Sequence, residues 1–202
     1  MDRPTRCDGR QMNMWAHTNW AAEKTGPSNP VREEESHAKS TTFLVRQMFQ
    51  NVSFRDRRLE VTDYLIVPPP GFCKKSIFIV IVPVKVDDNI RRDDWRSSYA
   101  RPAIQRKYWY SVLFAVGLPK SQEIQRKLYL ESQLYGDVLQ ANFEDVYQNL
   151  TRKVLSALRF VFPSCPQAKA FIKIDDDAGW NIIRTNDLVL HHLDYNKVYG
   201  QL

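Results

Sequence analysis

Apolar and polar positions fall into a regular order from about residue 75 onward. Ile77-Phe-Ile-Val-Ile-Val82 is a continuous apolar run, the pattern of a strand buried on both faces. Asp87-Asp-Asn89 can cap a helix over about Ile90 to Ala100, stopped near Pro102, with Trp95 and Tyr99 four apart on one face. Tyr110 to Val116 predicts a second buried strand ended by Gly117. Pro119 and Ser121 open a helix to about Tyr135 with Ile124, Leu128 and Leu134 inward, and Gly136 stops it. Asp137 to Gln140 is a third, short strand. A longer helix over about Phe143 to Phe162 carries Val146, Leu150, Val154, Leu158 and Val161 as its stripe, and Pro163 and Pro166 end it. Ala170 to Ile174 predicts a fourth strand. Ile182-Ile183 and Leu188 to Leu190 then suggest a helix packed back on the sheet. Strands alternating with helices mean βαβ units, a largely parallel sheet and an α/β fold.

Earlier positions show no such order. Residues 1–40 are polar and punctuated by Pro4, Gly26, Pro27 and Pro30. Residues 41–60 are compatible with a short amphipathic helix whose stripe is Phe43, Leu44, Met48 and Phe49. Pro68-Pro-Pro-Gly71 marks a boundary. The expected organisation is an irregular, disordered leader over 1–70 and an α/β domain over 71–202.

Charge narrows the function classes. The chain has 202 residues and a formal net charge of +6. Its basic residues are interspersed with acids and form no stripe, which argues against nucleic acid as partner. The slight basic excess suits a phosphate-bearing ligand. No run of 18 apolar residues exists and no signal peptide or anchor is visible. Three cysteines, Cys7, Cys73 and Cys165, allow one disulfide, and spacing does not choose it.

Candidate chemistry concentrates where the fourth strand ends. Asp175-Asp-Asp177 follows an apolar strand directly. Three carboxylates there repel one another, and a divalent cation is the common compensation; a solvated acidic turn is the alternative. Open α/β sheets bind ligands at the carboxyl ends of their strands, which favours the cation. Carboxylate oxygen selects Mg²⁺, Mn²⁺ or Ca²⁺, and Mg²⁺-like ions bind through one or two carboxylates plus substrate phosphates. Arg91, Arg92 and Arg96 follow the first strand, and guanidinium groups suit bidentate phosphate recognition. Lys153 could reach a phosphate or be solvated. No P-loop and no Gly-x-Gly-x-x-Gly is present. His191-His192 reads as structural or surface, because helical neighbours point apart. Asn51-Val-Ser53 is a glycosylation sequon, meaningful only in the secretory pathway; Asn149-Leu-Thr151 is another, inside a predicted helix.

Four blocks then line up in order. They are Arg91-Arg-x-x-x-Arg96-x-Ser98-Tyr99, Tyr135-Gly-Asp-Val-Leu-Gln140, Phe143-x-Asp-x-Tyr-x-Asn-Leu-Thr-x-Lys153, and Cys165-Pro-x-Ala-Lys169 with Lys173-x-Asp-Asp-Asp177-x-x-x-Asn181. Together they resemble the β-1,3-galactosyltransferase and β-1,3-N-acetylglucosaminyltransferase family (glycosyltransferase family 31) over about residues 75–190. Asp94-Trp95 stands where the family has Ala-Ile, and Gly179-Trp180 where it has Phe-Val.

The resemblance implies a GT-A-like, Rossmann-type sheet with an Asp-x-Asp motif at a strand end. It implies inverting transfer of galactose or N-acetylglucosamine from UDP-galactose or UDP-N-acetylglucosamine to a glycan acceptor on glycoprotein or glycolipid, in β-1,3 linkage. The implied cofactor is Mn²⁺, with Mg²⁺ as the alternative, held by Asp175 and Asp177. The implied donor-binding residues are Arg91, Arg92, Arg96, Lys153, Asp175 and Asp176, and the implied location is the Golgi apparatus membrane. The family's base motif lies in a later segment, so the chain is expected to be a donor-binding half truncated at its C-terminus. No catalytic base is assigned to it. A non-catalytic UDP-binding relative is the alternative, and a Mg²⁺-dependent phosphoryl-transfer protein is a third reading that lacks a phosphate cradle.

Overall fold

The computed structural model describes residues 30–194 and 197–199. Its centre is a five-stranded sheet in the order β1-β4-β3-β2-β5. The strands are β1 (Tyr64–Ile66), β2 (Phe78–Pro83), β3 (Tyr110–Leu118), β4 (Val138–Glu144) and β5 (Ala170–Lys173). β2 runs parallel to both β3 and β5, and β3 is parallel to β4; only β1 is antiparallel, to β4. The architecture is mixed α/β and Rossmann-like. Every residue of β2 is buried, as a continuous apolar run requires in a strand covered on both faces.

Among the described residues six α-helices flank the sheet: α1 (Pro30–Met48), α2 (Asn89–Ser97), α3 (Pro102–Tyr108), α4 (Gln122–Tyr135), α5 (Leu150–Ser164) and α6 (Ile182–Asp187). Strand alternation sorts the core into two faces. Ile79, Ile81, Leu113, Ala115 and Leu139 pack with Val45 of α1 and with Ala157, Phe160 and Val161 of α5. Phe78, Val80, Val82, Tyr110, Val112 and Phe114 pack with Trp95 of α2, Ile104 of α3 and Ile182 of α6. Val116 and Val138 pack with Leu128 of α4. Gly136 ends α4 in a left-handed conformation, φ 64°, which glycine adopts without a Cβ penalty.

Several expectations need correction. The leader does not extend to residue 70. Residues 1–29 lie outside the described residues, but α1 and β1 belong to the fold. Thr42 Oγ1 accepts the Tyr64 N–H, and Tyr64 donates its hydroxyl to the Ser156 carbonyl, 2.8 Å. The helix face turned inward is Ala38, Thr41, Thr42 and Val45, while Phe43, Leu44 and Met48 are exposed. Small and β-branched side chains let α1 approach β1 closely, which the bulky stripe would not.

Pro102 opens α3 rather than stopping α2, because a proline at the first helical position loses no hydrogen bond. Phe143 belongs to β4, and the helix after it starts seven residues later. On α4, Leu134 is exposed and Ser132 is buried in its place. On α5, Leu158 is 37% exposed, and the buried face includes Lys153, Ser156 and Arg159.

Cys73 and Cys165 form a disulfide closing a span of 92 residues. A loop of that length contributes roughly 4 to 5 kcal/mol on the chain-entropy account. It ties the segment before β2 to the end of α5. No helix among the described residues is long and apolar enough to cross a membrane.

Candidate functional site

Strand order places the site. β2 leads to β3 on one side, while β5 returns to its other side. Such a reversal leaves a crevice at the carboxyl ends of the strands. A cleft of about 810 Å³ lies there, with Pro83 at the end of β2, Leu118 at the end of β3 and Lys173 at the end of β5. Asp175, Asp176 and Asp177 line it just beyond β5, and Lys85, Lys120 and Lys153 contribute cationic groups.

The frame of the cleft is held by one carboxylate. Asp145 Oδ2 accepts the backbone N–H groups of Val86, at 3.0 Å, and Gly117, at 2.8 Å. Its Oδ1 accepts Lys153 Nζ at 2.6 Å, and the same ammonium donates to the Val84 carbonyl at 2.8 Å. One side chain thus ties the ends of β2 and β3 to α5. Gly117 allows this closeness, since a Cβ there would stand 2.7 Å from the Phe143 carbonyl oxygen. Lys153 reaches the cleft wall, but two of its three N–H donors are engaged internally.

The acidic loop is anchored by aromatic rings. Trp95 donates its indole N–H to the Asp176 carbonyl, 2.8 Å. Trp180 stacks on Trp95, its ring centroid 6.4 Å away, and meets the edges of Tyr110 and Phe78. Its backbone N–H donates to Tyr99 Oη, and its indole N–H to Thr185 Oγ1. The Gly179-Trp180 pair is therefore a plug that holds the loop from behind.

The carboxylates themselves remain accessible. Asp175 and Asp177 are exposed and Asp176 is half-buried. Lys173 donates to Asp175. Burial pushes the Asp176 carboxyl above its ordinary value; Arg91 opposes this, while Asp177 and Asp88 add to it. Among the described residues, no three His, Cys, Asp or Glu side chains converge tightly enough to hold a cation by themselves.

The three arginines separate. Arg91 is exposed and borders a shallow depression shared with Asp176 and Asp177. Arg92 and Arg96, expected on the donor side, face elsewhere. Arg92 is 1% exposed and clamps Glu131 with two bonds, 2.6 and 2.8 Å, while also donating to the Lys85 and Val86 carbonyls. Arg96 makes a bidentate pair with Asp137, 2.9 and 2.7 Å, and a further bond to Glu131. Its guanidinium lies 3.9 Å over the Tyr135 ring. Burial alone would raise the Glu131 carboxyl, but Arg92 and Arg96 more than offset that and hold it below its ordinary value. Four of the five N–H donors of each guanidinium are engaged within the protein, so both act structurally here.

Sequence reasoning missed Lys85, Lys120, Asp145, Tyr147 and Lys173 as cleft residues. Asp145 and Tyr147 fall inside the helix expected over Phe143 to Phe162, which in the structure begins only at Leu150. The signal that could have found them is the Gly117 strand end opposite the Phe143 block.

A mostly parallel sheet with an acid-and-lysine cleft at its reversal point defines an α/β, Rossmann-like protein. The galactosyltransferase family model matches residues 90–201, more than half of the chain, so the chain belongs to the galactosyltransferase family. It is 35% identical over 122 residues to rat beta-1,3-galactosyltransferase 4, covering 58% of this chain and 33% of the relative. Human lactosylceramide 1,3-N-acetyl-beta-D-glucosaminyltransferase is 35% identical over 106 residues, 50% of this chain and 28% of that protein. Human N-acetyllactosaminide beta-1,3-N-acetylglucosaminyltransferase 3 is 29% identical over 133 residues, 63% and 35%. The chain thus spans about a third of the length of these curated relatives.

Proposed function

We propose that this chain is the donor-binding part of a hexosyltransferase that transfers galactose or N-acetylglucosamine from a UDP-sugar, with inversion, in β-1,3 linkage to a glycan acceptor on glycoprotein or glycolipid. The observation that carries the proposal is the cleft at the strand reversal, with Asp175 to Asp177 on one wall and lysines on the others. Membership of the galactosyltransferase family supports the reading. A GT-A assignment for the sheet belongs to the same proposal.

The donor set fits Mn²⁺ or Mg²⁺. Asp175 and Asp177 offer hard carboxylate oxygens at an exposed loop, and a diphosphate would complete the coordination. Such a cation neutralises charge on a departing nucleotide. Asp175 and Asp177 hold it in this reading; Asp176 keeps its backbone carbonyl on Trp95 and sets the loop's orientation. Lys173 leaves Asp175 for the phosphates, and Arg91 and Lys120 add positive charge at the rim. Lys153 fixes the cleft frame and keeps one N–H for the ligand.

A binding role without catalysis is the second reading, favoured by one feature. The cleft carboxylates outside the aspartate loop, Asp87 and Asp145, both carry lysine partners. Asp145 is also held by the Val86 and Gly117 N–H groups and is not free to act as general base, which favours donor binding over acceptor activation at this carboxylate.

For location we propose the Golgi lumen at its membrane. The Cys73–Cys165 disulfide supports an oxidising compartment. The test of the whole reading is calorimetry with UDP in the presence and absence of Mn²⁺. Binding that requires the metal is expected. Equal heats in both conditions would remove the metal, and no binding in either would remove the function.

A further inference from the structure

Helix α1 hides one face and leaves large apolar side chains on another. Ala38, Thr41, Thr42 and Val45 turn inward. Phe43, Leu44 and Met48 stand in solvent, with Val52 in the turn that follows, and these four are 47 to 63% exposed. Thr41, Leu44 and Met48 fall three and four residues apart, so they form one stripe of the helix. Thr41 borders a cavity together with Phe160 and Ser164 of α5. The stripe therefore runs beside the end of α5, where Phe162 is 58% exposed and its ring meets that of Phe49 at 6.4 Å. Single apolar residues on a surface are ordinary, but five large ones gathered on adjoining elements mark an interaction face.

Basic charge borders the same face. The Arg159 guanidinium lies 5.7 Å from the Phe49 ring centroid and 4.9 Å from that of Phe54, and it donates to the Leu59 carbonyl at 2.7 Å. It thereby pins residues 54–59 against α5, with Arg55, Arg57 and Arg58 exposed. Arg58 pairs with Asp56, and Arg46 with Asp63. Arg55, Arg57, Arg152 and Arg159 have no ion-pair partner among the described residues. Burial, and then repulsion from Arg58, push the Arg152 guanidinium below its ordinary value. These six arginines meet only three local carboxylates, Asp56, Glu60 and Asp63, so positive charge is left over.

We propose that this face of α1 and α5 docks on an anionic lipid bilayer. Phe43, Leu44, Met48, Val52 and Phe162 enter the acyl boundary, and Arg55, Arg57 and Arg58 meet the headgroups. Apolar groups rimmed by arginines are what such an interface takes, because long cationic side chains keep their charge at the headgroups while the apolar groups sink below. A second copy of the chain fits less well: a two-fold contact through this face would set the surplus arginines of both copies against each other. A soluble polyanion would use the arginines and leave the apolar stripe in water. None of the docking residues lines the cleft, so docking leaves it open. The proposal does not depend on the UDP-sugar reading.

The test mixes the full chain with vesicles of phosphatidylcholine, alone or with phosphatidylserine, and reads the bound fraction by flotation. Binding to the anionic vesicles is expected, weakening as salt is raised. Arg55→Gln combined with Arg57→Gln should weaken it about 25-fold, at roughly fivefold per arginine. Leu44→Ser combined with Phe162→Ser should weaken it about tenfold or more. The glutamine pair alters only exposed side chains, so it keeps the test valid should the serine pair disturb folding. UDP calorimetry on each variant should match the parent chain, so failure at the lipid face and failure at the cleft are read separately. Absence of binding to both kinds of vesicle, or binding that ignores both pairs of substitutions, would overturn the proposal. A concentration-dependent dimer in light scattering that the serine pair dissolves would overturn it too, by making the face an interface between copies. Binding to heparin with none to vesicles would give the arginines to a soluble polyanion instead and overturn it as well.

Discussion

Two charged clusters of this molecule use the same kinds of side chain and end in opposite states. Arg92 and Arg96 of α2 meet Glu131 of α4 and Asp137, just before β4, in bidentate geometry, with side-chain exposures of 1 to 17%. Beyond β5, Lys173 pairs with Asp175 and Arg91 acts on Asp176, and two of the three carboxylates are exposed. The first cluster neutralises itself and becomes part of the core. The second leaves charge unanswered at the edge of a cleft. Availability to a ligand thus depends on whether partners already fill a group's donors or acceptors.

The largest expected effect tests the closed cluster. Glu131→Ala leaves two buried guanidiniums short of a partner and should cost about 3 to 5 kcal/mol of stability in denaturant unfolding. A loss under 1 kcal/mol would mean that the cluster is solvated. Asp177→Ala should do the converse. Stability is expected to stay within about 0.5 kcal/mol, as for an ordinary surface substitution, while calorimetry detects no Mn²⁺-dependent UDP binding. Full binding by that variant would move the metal elsewhere.

Arg96→Lys sharpens the contrast further. A lysine lacks the planar fork, so the bidentate pair with Asp137 is lost at roughly 1.5 to 3 kcal/mol, with UDP affinity unchanged after correction for folding. A specific loss of UDP affinity would return Arg96 to the donor site. The smallest effect belongs to Lys173→Met. Its partner Asp175 is 54% exposed, and such pairs are worth about 0.2 to 1 kcal/mol. Mn²⁺ alone should therefore bind up to about fivefold more tightly once the competing ammonium is gone, read by metal titration.

Much of the fold was legible because its signals are local. β2, β3 and β5 show as apolar runs, and Gly136 and Ser121 bound α4 by turn and cap chemistry that acts within a few residues. The failures share a cause. Pro102 reads equally as a stop and as a start, and only the packing of Ile104 on the sheet decides. β1 has three residues, and it is a strand because β4 offers it an edge. In the site, the acidic loop was visible because its function is local to one strand end. The tasks of Arg92 and Arg96 were not, since Glu131 and Asp137 lie 35 to 41 residues away in the chain. Asp145 escaped for the same reason: its partners Val86, in the turn after β2, and Gly117, on β3, lie 59 and 28 residues away in the chain.

The aromatic plug behind the aspartate loop also makes the protein its own spectroscopic probe. Trp95 and Trp180 are stacked with an interplanar angle of 22°, and the Trp95 indole N–H is bonded to the carbonyl of Asp176. Their transitions couple, so the near-ultraviolet circular dichroism and the tryptophan emission should respond to small shifts of that carbonyl. Occupancy at Asp175 and Asp177 would then be readable by light, without a label and without turnover.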